Sequence, residues 1–446
     1  MPKKSSLPYM MGLKLRMFPN HKQEIILWKN INASRFIYNQ LLANSYVDSA
    51  IRRNKLDEKY PIPAEYWRYN KQGNPIKKSQ NRPVGLDRIT ADRYPWLGDA
   101  DLDSDMFNNT QVHYQHAWNM FRKVHPTGGP KFKRKDRPVQ SYSTSNRYAP
   151  SVLKKKGELP SLYNGTSVRF IDRKHIRLPK VGTIKVKLHR SLPTNRLVRI
   201  ATVTIKHLSS GEWFVSLLLK SDEPFQISLP KTGKVVGIDL NTDNFLTQSD
   251  AEVVENPRYY RTIKKRLAKY QRILSRRARR AKKEHRSLRK SHNYQKQRQL
   301  VAQLHRKVRN QRQNFLHVTS TALIKNHDLV VAENLKGKNM LKSHALAMSI
   351  SDVGWRMFLG MLEYKAPLYG RTFVEVNPAY TTQTCYDCGF VMGSQGTQRL
   401  TLRDRQWNCP KCYAHHVRDH NAAQNILAKG QLLLAKPAEN KATIYQ

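Results

Sequence analysis

The amino-acid sequence predicts a multidomain α/β protein, on three observations. Two short apolar runs, Val235-Val236-Gly237-Ile238-Asp239 and Leu329-Val330-Val331-Ala332-Glu333, read as buried strands that each end in an acid. Residues 166–220 alternate in the manner of strands joined by tight turns. Helical periodicities lie before, between and after these segments. A length of 446 residues with 39% apolar side chains suits two to four domains with real cores.

Residues 11–18 alternate apolar and basic and predict a first strand. Residues 21–47 carry Ile25, Ile26, Trp28, Ile31, Phe36, Ile37 and Leu41 near helical spacing. A polar, proline-bearing stretch at 52–100 is irregular, and a second helix is expected over 105–124 through Met106, Val112, Tyr114, Trp118 and Phe121. The breaker cluster at 125–130 and the basic run at 131–135 mark a change of composition. Strands are expected at 167–171, 176–178, 183–188, 197–205 and 213–219, the last two joined by the turn Ser209-Ser210-Gly211-Glu212. Residues 21–128 therefore read as a helical module inserted into a β domain whose first strand lies in 1–20 and whose remainder is 129–230.

Residues 258–312 hold 22 Lys or Arg and a single acid, Glu284. Ile263, Leu267, Tyr270 and Leu274, then Leu300, Leu304 and Val308, keep a narrow stripe, so two basic helices with one apolar seam are expected. Helices at 353–369 and 421–429, a strand at 371–376 and a flexible tail at 436–446 complete the chain.

Lys and Arg number 80 against 32 Asp and Glu, a formal net charge of +48. Such a charge opposes compaction unless a polyanion neutralises it, and a phosphate backbone is the commonest one. A merely solvated face would mix signs, because like charges at i,i+4 repel. No stretch reaches the ~18–20 apolar residues of a membrane span, and the N-terminus lacks a signal-peptide core. Four cysteines in two CxxC pairs do not resemble a secreted disulfide framework. The composition points to a cytoplasmic nucleic-acid-binding protein with no membrane partner and no small-molecule substrate.

The cysteines carry the sharpest local signal. Cys385 and Cys388, then Cys409 and Cys412, are separated by 20 residues, a spacing that suits one tetrahedral zinc ion on two knuckles. All four positions would be protein ligands, so that zinc would be structural. Four metal-free thiols or a redox pair are the competing readings. Asp239, Glu333 and Asp419 form the second signal: acids at the ends of buried strands are costly unless paired. Three hard oxygen ligands suit two Mg²⁺ ions about 4 Å apart, an arrangement that hydrolyses phosphodiesters. Taken singly, each acid could serve in an ion pair, and Asp419 could cap the last helix. Their order, Asp then Glu then Asp, is that of RuvC-type nucleases of the RNase H-like fold rather than of strand-transfer transposases. Aromatics beside basic residues (Trp67, Tyr69, Tyr259, Tyr260, Tyr380) could stack on bases or simply pack.

Several motifs stand together in one order: Gly237-Ile238-Asp239-Leu240, Ala332-Glu333-Asn334-Leu335, Ser349–Trp355, the two CxxC knuckles, Asp404-Arg405-Gln406-Trp407, and Arg418-Asp419-His420-Asn421-Ala422-Ala423-Gln424-Asn425-Ile426. In this they resemble the TnpB proteins of insertion sequences, over about residues 231–430; Gly129–Arg134 is similar to the family as well. The resemblance implies an RNA-guided DNA endonuclease. It implies a β-barrel-like wedge domain carrying the helical recognition insert, a RuvC-like nuclease in two parts (231–382 and 414–435), and a zinc-binding insert at 383–413. Asp239, Glu333 and Asp419 would hold magnesium, and the four cysteines zinc. A guide RNA would pair with one strand of double-stranded DNA beside a short flanking motif. The protein is expected to be a monomer in the RNA complex, in a prokaryotic cytoplasm and associated with the nucleoid. A compact type V CRISPR effector and a nuclease-inactive RNA-guided repressor are the alternatives. The unusual stretch at 55–100 has no counterpart in the resemblance, so no flanking-motif reader is named.

Overall fold

The computed structural model describes residues 7–52, 89, 91–124, 127–148, 165, 167–189, 198–335, 354–401, 403–435 and 443–445, of which 46–52 and 443–445 by their backbone alone. Trp67, Tyr69, residues 349–353 and most of the 55–100 stretch lie outside the described residues. The chain divides into two units, Met1–Phe225 and Gln226–Gln446, five residues earlier than the expected boundary at 230.

The first unit contains β1 (Tyr9–Phe18), α1 (His21–Arg52), α2 (Ser104–Lys123), β2 (Val139–Ser145), β3 (Arg169–Phe170), β4 (His175–Leu178), β5 (Gly182–Lys187), β6 (Val198–Leu208) and β7 (Trp213–Ser221). Its seven strands run in the order β2-β6-β7-β1-β5-β4-β3. The first strand thus lies inside the sheet, antiparallel to both β7 and β5, with Leu13 opposite Leu217. The helices are accordingly an insertion between β1 and the remaining strands. Alternation along β1 buries Leu13, Leu15 and Met17 in one core with Leu27 and Ile31 of α1. α2 starts on Asp103, whose side chain accepts from the Asp105 N–H at 3.1 Å. β2 is a strand the sequence does not announce: Val-Gln-Ser-Tyr-Ser-Thr-Ser has no apolar alternation. Full-length pairing with β6 and a 2.9 Å hydroxyl bond between Ser143 and Thr204 hold it there.

The second unit contains β8 (Val235–Leu240), β9 (Leu246–Gln248), β10 (Val253–Val254), α3 (Tyr259–Lys283), α4 (His292–Asn326), β11 (Leu329–Glu333), α5 (Trp355–Leu368), β12 (Thr372–Val376), β13 (Gln406–Asn408), β14 (His415–Val417), α6 (Arg418–Ala435) and β15 (Thr443–Tyr445). Six strands form one sheet in the order β10-β9-β8-β11-β12-β15. β8, β11 and β12 are mutually parallel, and β9, β10 and β15 are antiparallel additions. β15 stands where a flexible tail was expected: Thr443–Tyr445 pairs along β12, and a backbone ladder needs no distinctive side-chain pattern.

Both faces of this sheet are covered, which is why its central strands are apolar throughout. One face packs Val236, Ile238, Val330, Ala332 and Phe373 against Leu316 and Leu323 of α4 and Phe358 and Leu362 of α5. The other packs Val331 and Val374 against Ile426 of α6. Two glycines let α6 lie close to the sheet. A Cβ at Gly237 would meet the Ala423 carbonyl at 2.2 Å, and one at Gly430 would meet Val331 at 2.4 Å. The first contact is with helix backbone, which cannot rotate away, so a side chain at 237 would push α6 off β8.

The basic pair α3 and α4 shares the expected seam, formed by Leu267, Val301 and Leu304 with Ile263, Tyr270 and Leu274 around them. Leu300, expected in the seam, is exposed and Val301 takes its place. Val301, Leu304 and Val308 fall within about 60° of one another around the helix, whereas Leu300 lies beyond the edge of that arc, about 40° from Leu304 and about 100° from Val301. Among the described residues no helix is long and apolar enough to cross a membrane.

Candidate metal and nucleic-acid site

Asp239 is the fifth residue of β8, and Glu333 ends the neighbouring parallel strand β11. The register pairs Ala332 with Ile238, so the next residue along each strand is one of the two acids. Strand alternation puts Asp239 on the face of Gly237 and Glu333 on the face of Val331, which is the face α6 covers. Asp419 is the second residue of α6, in the first turn, where the helix dipole favours a carboxylate. The three acids predicted from sequence therefore converge at the carboxyl end of the parallel strands.

The electrostatics are those of a buried acidic site in which Asp419 is paired with arginine and Asp239 is not. Burial, then repulsion from Glu333 and Asp419, pushes the Asp239 carboxyl well above the ordinary carboxylate range, with Arg418 opposing weakly. Burial also raises Glu333, against the opposing effects of the Thr381 hydroxyl and the Lys429 ammonium. Thr381 Oγ1 donates to Glu333 Oε1. Asp419 Oδ1 accepts from Arg418 Nε and Nη2 at 3.0 and 2.9 Å, and its Oδ2 lies 3.6 Å from Arg405 Nη1. The second nitrogen of that guanidinium pairs with Asp243. The carboxylates are not all in mutual contact: among the described residues, the groups whose donor atoms all lie within 4.8 Å of one another are the four cysteines, and Cys385 with Asp387 and His416.

Asp239 and Glu333 bind protons more tightly folded than unfolded. Their burial costs nothing below the unfolded carboxylate pKa, and stability is lost as pH rises from there through the raised values. Asp239→Asn removes one of the repelling charges. The metal-free variant is expected to melt a few °C above the native protein at neutral pH, since 1 kcal/mol moves the midpoint about 2–4 °C for a unit of this size. The gap should close near pH ~4. Native and variant midpoints that coincide at both pH values would exclude the repulsion as a destabilising factor.

The four thiols do come together. Cys385 Sγ lies 3.7 Å from Cys412 Sγ, and Cys388 Sγ 3.5 Å from Cys409 Sγ. A tetrahedron of sulfurs at ~2.3 Å from a zinc ion has edges of ~3.8 Å, so the residues fit that ion. For Cys409, burial is outweighed by the N–H groups of Cys412 and Lys411, which bring the thiol down to about 7 and favour the ligating thiolate. The hairpin of β13 and β14 frames the second knuckle, with Trp407 and His416 opposite each other in register, their rings tilted by 36° and 4.6 Å apart. His416 Nε2 lies 3.1 Å from Cys385 Sγ.

Sequence reasoning gave no role to Thr381, Arg405, Arg418, Asn421, Asn425 or His416. Arg405, Arg418, Asn421 and Asn425 stand within the ordered motifs, and the i,i+4 spacing of the two asparagines puts them on one face of α6, whereas no local pattern points to Thr381 or His416. The basic helices α3 and α4 present most of their Lys and Arg to solvent. Tyr259 packs on Phe315 and Tyr260 on the helical seam, so both serve packing, while Tyr380 is exposed. In the first unit an open groove of about 620 Å³ is lined by Phe18, Arg173, Lys174, Lys185, Lys187 and His189.

Three family models match the chain. "Cas12f1-like, TNB domain" covers residues 355–426, "Probable transposase" covers 217–344, and "Helix-turn-helix domain" covers 10–46, where the structure has β1 and α1. A Streptomyces pristinaespiralis protein named "Putative RNA-guided DNA endonuclease" is 34% identical over 290 residues, 65% of this chain and 67% of that protein. "Putative RNA-guided DNA endonuclease InsQ" of Escherichia coli (strain K12) is 28% identical over 444 residues, 95% of this chain and 93% of the relative. The structure titled "Cryo-EM structure of the Cas12f1-sgRNA-target DNA complex" shares the fold, with a TM-score of 0.50 at 13% identity, covering 94% of this chain and 98% of the other. The chain belongs to the TnpB family of transposon-encoded proteins.

Proposed function

We propose that this protein is an RNA-guided DNA endonuclease whose single RuvC-like site hydrolyses target phosphodiesters next to a short flanking motif. The observation that carries this reading is the placement of Asp239 and Glu333 abreast on adjacent parallel strands, with Asp419 at the start of the helix above them. The strand order β10-β9-β8-β11-β12-β15 of the second unit supports the reading of an RNase H-like core with an added edge strand, and the sheet of the first unit would serve as the wedge domain. Two buried carboxylates, one of them with its proton affinity raised further by the neighbouring acids, are a donor set for divalent cations of the magnesium type. Asp239, Glu333 and Asp419 would hold two such ions, which would lend Lewis acidity to the phosphodiester and a lowered pKa to the attacking water. The chain's own residues do the rest. Arg418 and Arg405 hold the Asp419 carboxylate in place, and Thr381 holds Glu333. Zinc at Cys385, Cys388, Cys409 and Cys412 is structural, since no coordination position is left open.

The +48 charge and the exposed basic helices support a guide RNA and a DNA target as partners. The relatives' names support the same class of activity. The reading is tested by expressing the protein with its native flanking DNA and sequencing the RNA that co-purifies. One dominant RNA, with a constant structured part joined to a variable segment, is expected, and it should direct cleavage of matching DNA. A repeat-derived variable segment would favour a type V effector role, and a random mixture of cellular RNA would defeat the guided reading.

A further inference from the structure

We propose that Thr381 is a positioning residue for the metal ligand Glu333, and that it is held in place by α6 through Asn421 and Asn425, which tie the first zinc knuckle to the acidic site. The inference rests on the reading of Asp239, Glu333 and Asp419 as a divalent-cation site. Thr381 is 1% exposed and lies between β12 and Cys385. Its hydroxyl donates to Glu333 Oε1, with the Pro378 carbonyl at 3.1 Å as the competing acceptor, and so engages one carboxylate oxygen and restricts the rotation of the group. Its carbonyl accepts from Asn425 Nδ2 at 3.0 Å, and the same amide donates to the Thr384 carbonyl at 2.7 Å. One turn earlier, Asn421 Nδ2 donates to the Thr384 carbonyl at 2.8 Å, and Asn421 Oδ1 accepts the Tyr386 N–H at 2.9 Å.

The two amides thus grip 381–386 from both sides of Cys385, on the helix that begins with Asp419. Asn421 and Asn425 are themselves buried, at 1% and 9% exposure, so these bonds replace water that cannot reach them. Two of the three acids are then set by one rigid assembly: Asp419 by the helix, and Glu333 by the segment that the helix clamps. Partners that orient a metal ligand from behind commonly contribute ten- to a hundred-fold to affinity, because the ligand pays less to reach its bound geometry.

The test measures binding of Mn²⁺, a paramagnetic stand-in for magnesium, to the zinc-loaded full-length protein by electron paramagnetic resonance. Asp239→Ala serves as the blank for ions held elsewhere. Thr381→Val keeps the shape and removes the donor, and should weaken Mn²⁺ binding by roughly 10-fold with the zinc content unchanged. Thr381→Ser restores the hydroxyl and should return the affinity to within about twofold of native, which a purely steric role for Thr381 would not give. Native Mn²⁺ affinity in Thr381→Val, while Asp239→Ala loses it, would overturn this inference alone. Native affinity in Asp239→Ala would overturn the cation site itself and the inference with it.

Discussion

Asp239→Ala is expected to reduce cleavage of guide-matched DNA by ~10³-fold or more while leaving guided DNA binding at the native affinity. The size follows from the loss of several kcal/mol of charge stabilisation when a ligand is removed from a two-cation site, at about 1.4 kcal/mol per tenfold. The sparing of binding follows from position. Asp239 is buried at the end of β8, beneath α6, and makes no part of the exposed basic surface. A negative charge at this spot repels DNA when cations are absent, so its removal should, if anything, tighten binding in chelator. A gel-shift titration beside a cleavage time course separates the two effects. Residual cleavage above a tenth of native would remove Asp239 from the site, and lost binding with lost cleavage would show that the variant had misfolded.

Cys409→Ser has the second large expected effect. Zinc–thiolate sites in small modules supply folding free energy on the order of 10 kcal/mol, and the insert's own core is small: Cys385, Trp407 and Cys409, with Phe390, Met392 and Leu400 around them. Replacing one thiolate leaves an incomplete tetrahedron and a buried hydroxyl in an apolar cluster. The expected result is loss of bound zinc, rapid proteolysis within 383–413, and a fall in cleavage of at least ~10-fold, because the unfolded knuckle no longer holds its segment against α6. Metal analysis and limited proteolysis check it. A variant that retains native zinc and native protease resistance would mean that Cys409 is not a ligand.

The contrast between these two sites explains how legible each was in the sequence. The zinc site is local: two CxxC turns are short enough that spacing alone states the geometry, and the four Sγ atoms fall within 4.8 Å as expected. The acids are readable one by one, because an acid at the end of an apolar strand is energetically anomalous in any fold. That anomaly marked Asp239 and Glu333 and left their partners open. Convergence depends on β8 and β11 pairing parallel with Ala332 opposite Ile238, and because both strands are buried on both faces, neither has an alternating pattern that marks this register. Thr381, Asn421 and Asn425 are ordinary polar residues until α6 is laid on the sheet.

The sequence by itself pointed to a polyanionic partner through its charge and to the four knuckle cysteines through their spacing, and it determined the apolar strands and most helices through their periodicity and the family through ordered motifs. Tertiary structure alone decided the polar strand β2 and the edge strand β15, whose stability comes from ladder bonds to neighbours rather than from their own side chains. It alone moved the seam of the basic helices from Leu300 to Val301. It also decided which polar groups stand behind the acids, because a hydrogen bond between residues 48 apart, such as Thr381 to Glu333, has no trace in local pattern. Periodicity and spacing report what a segment needs from its surroundings; only packing reports which distant residue supplies it.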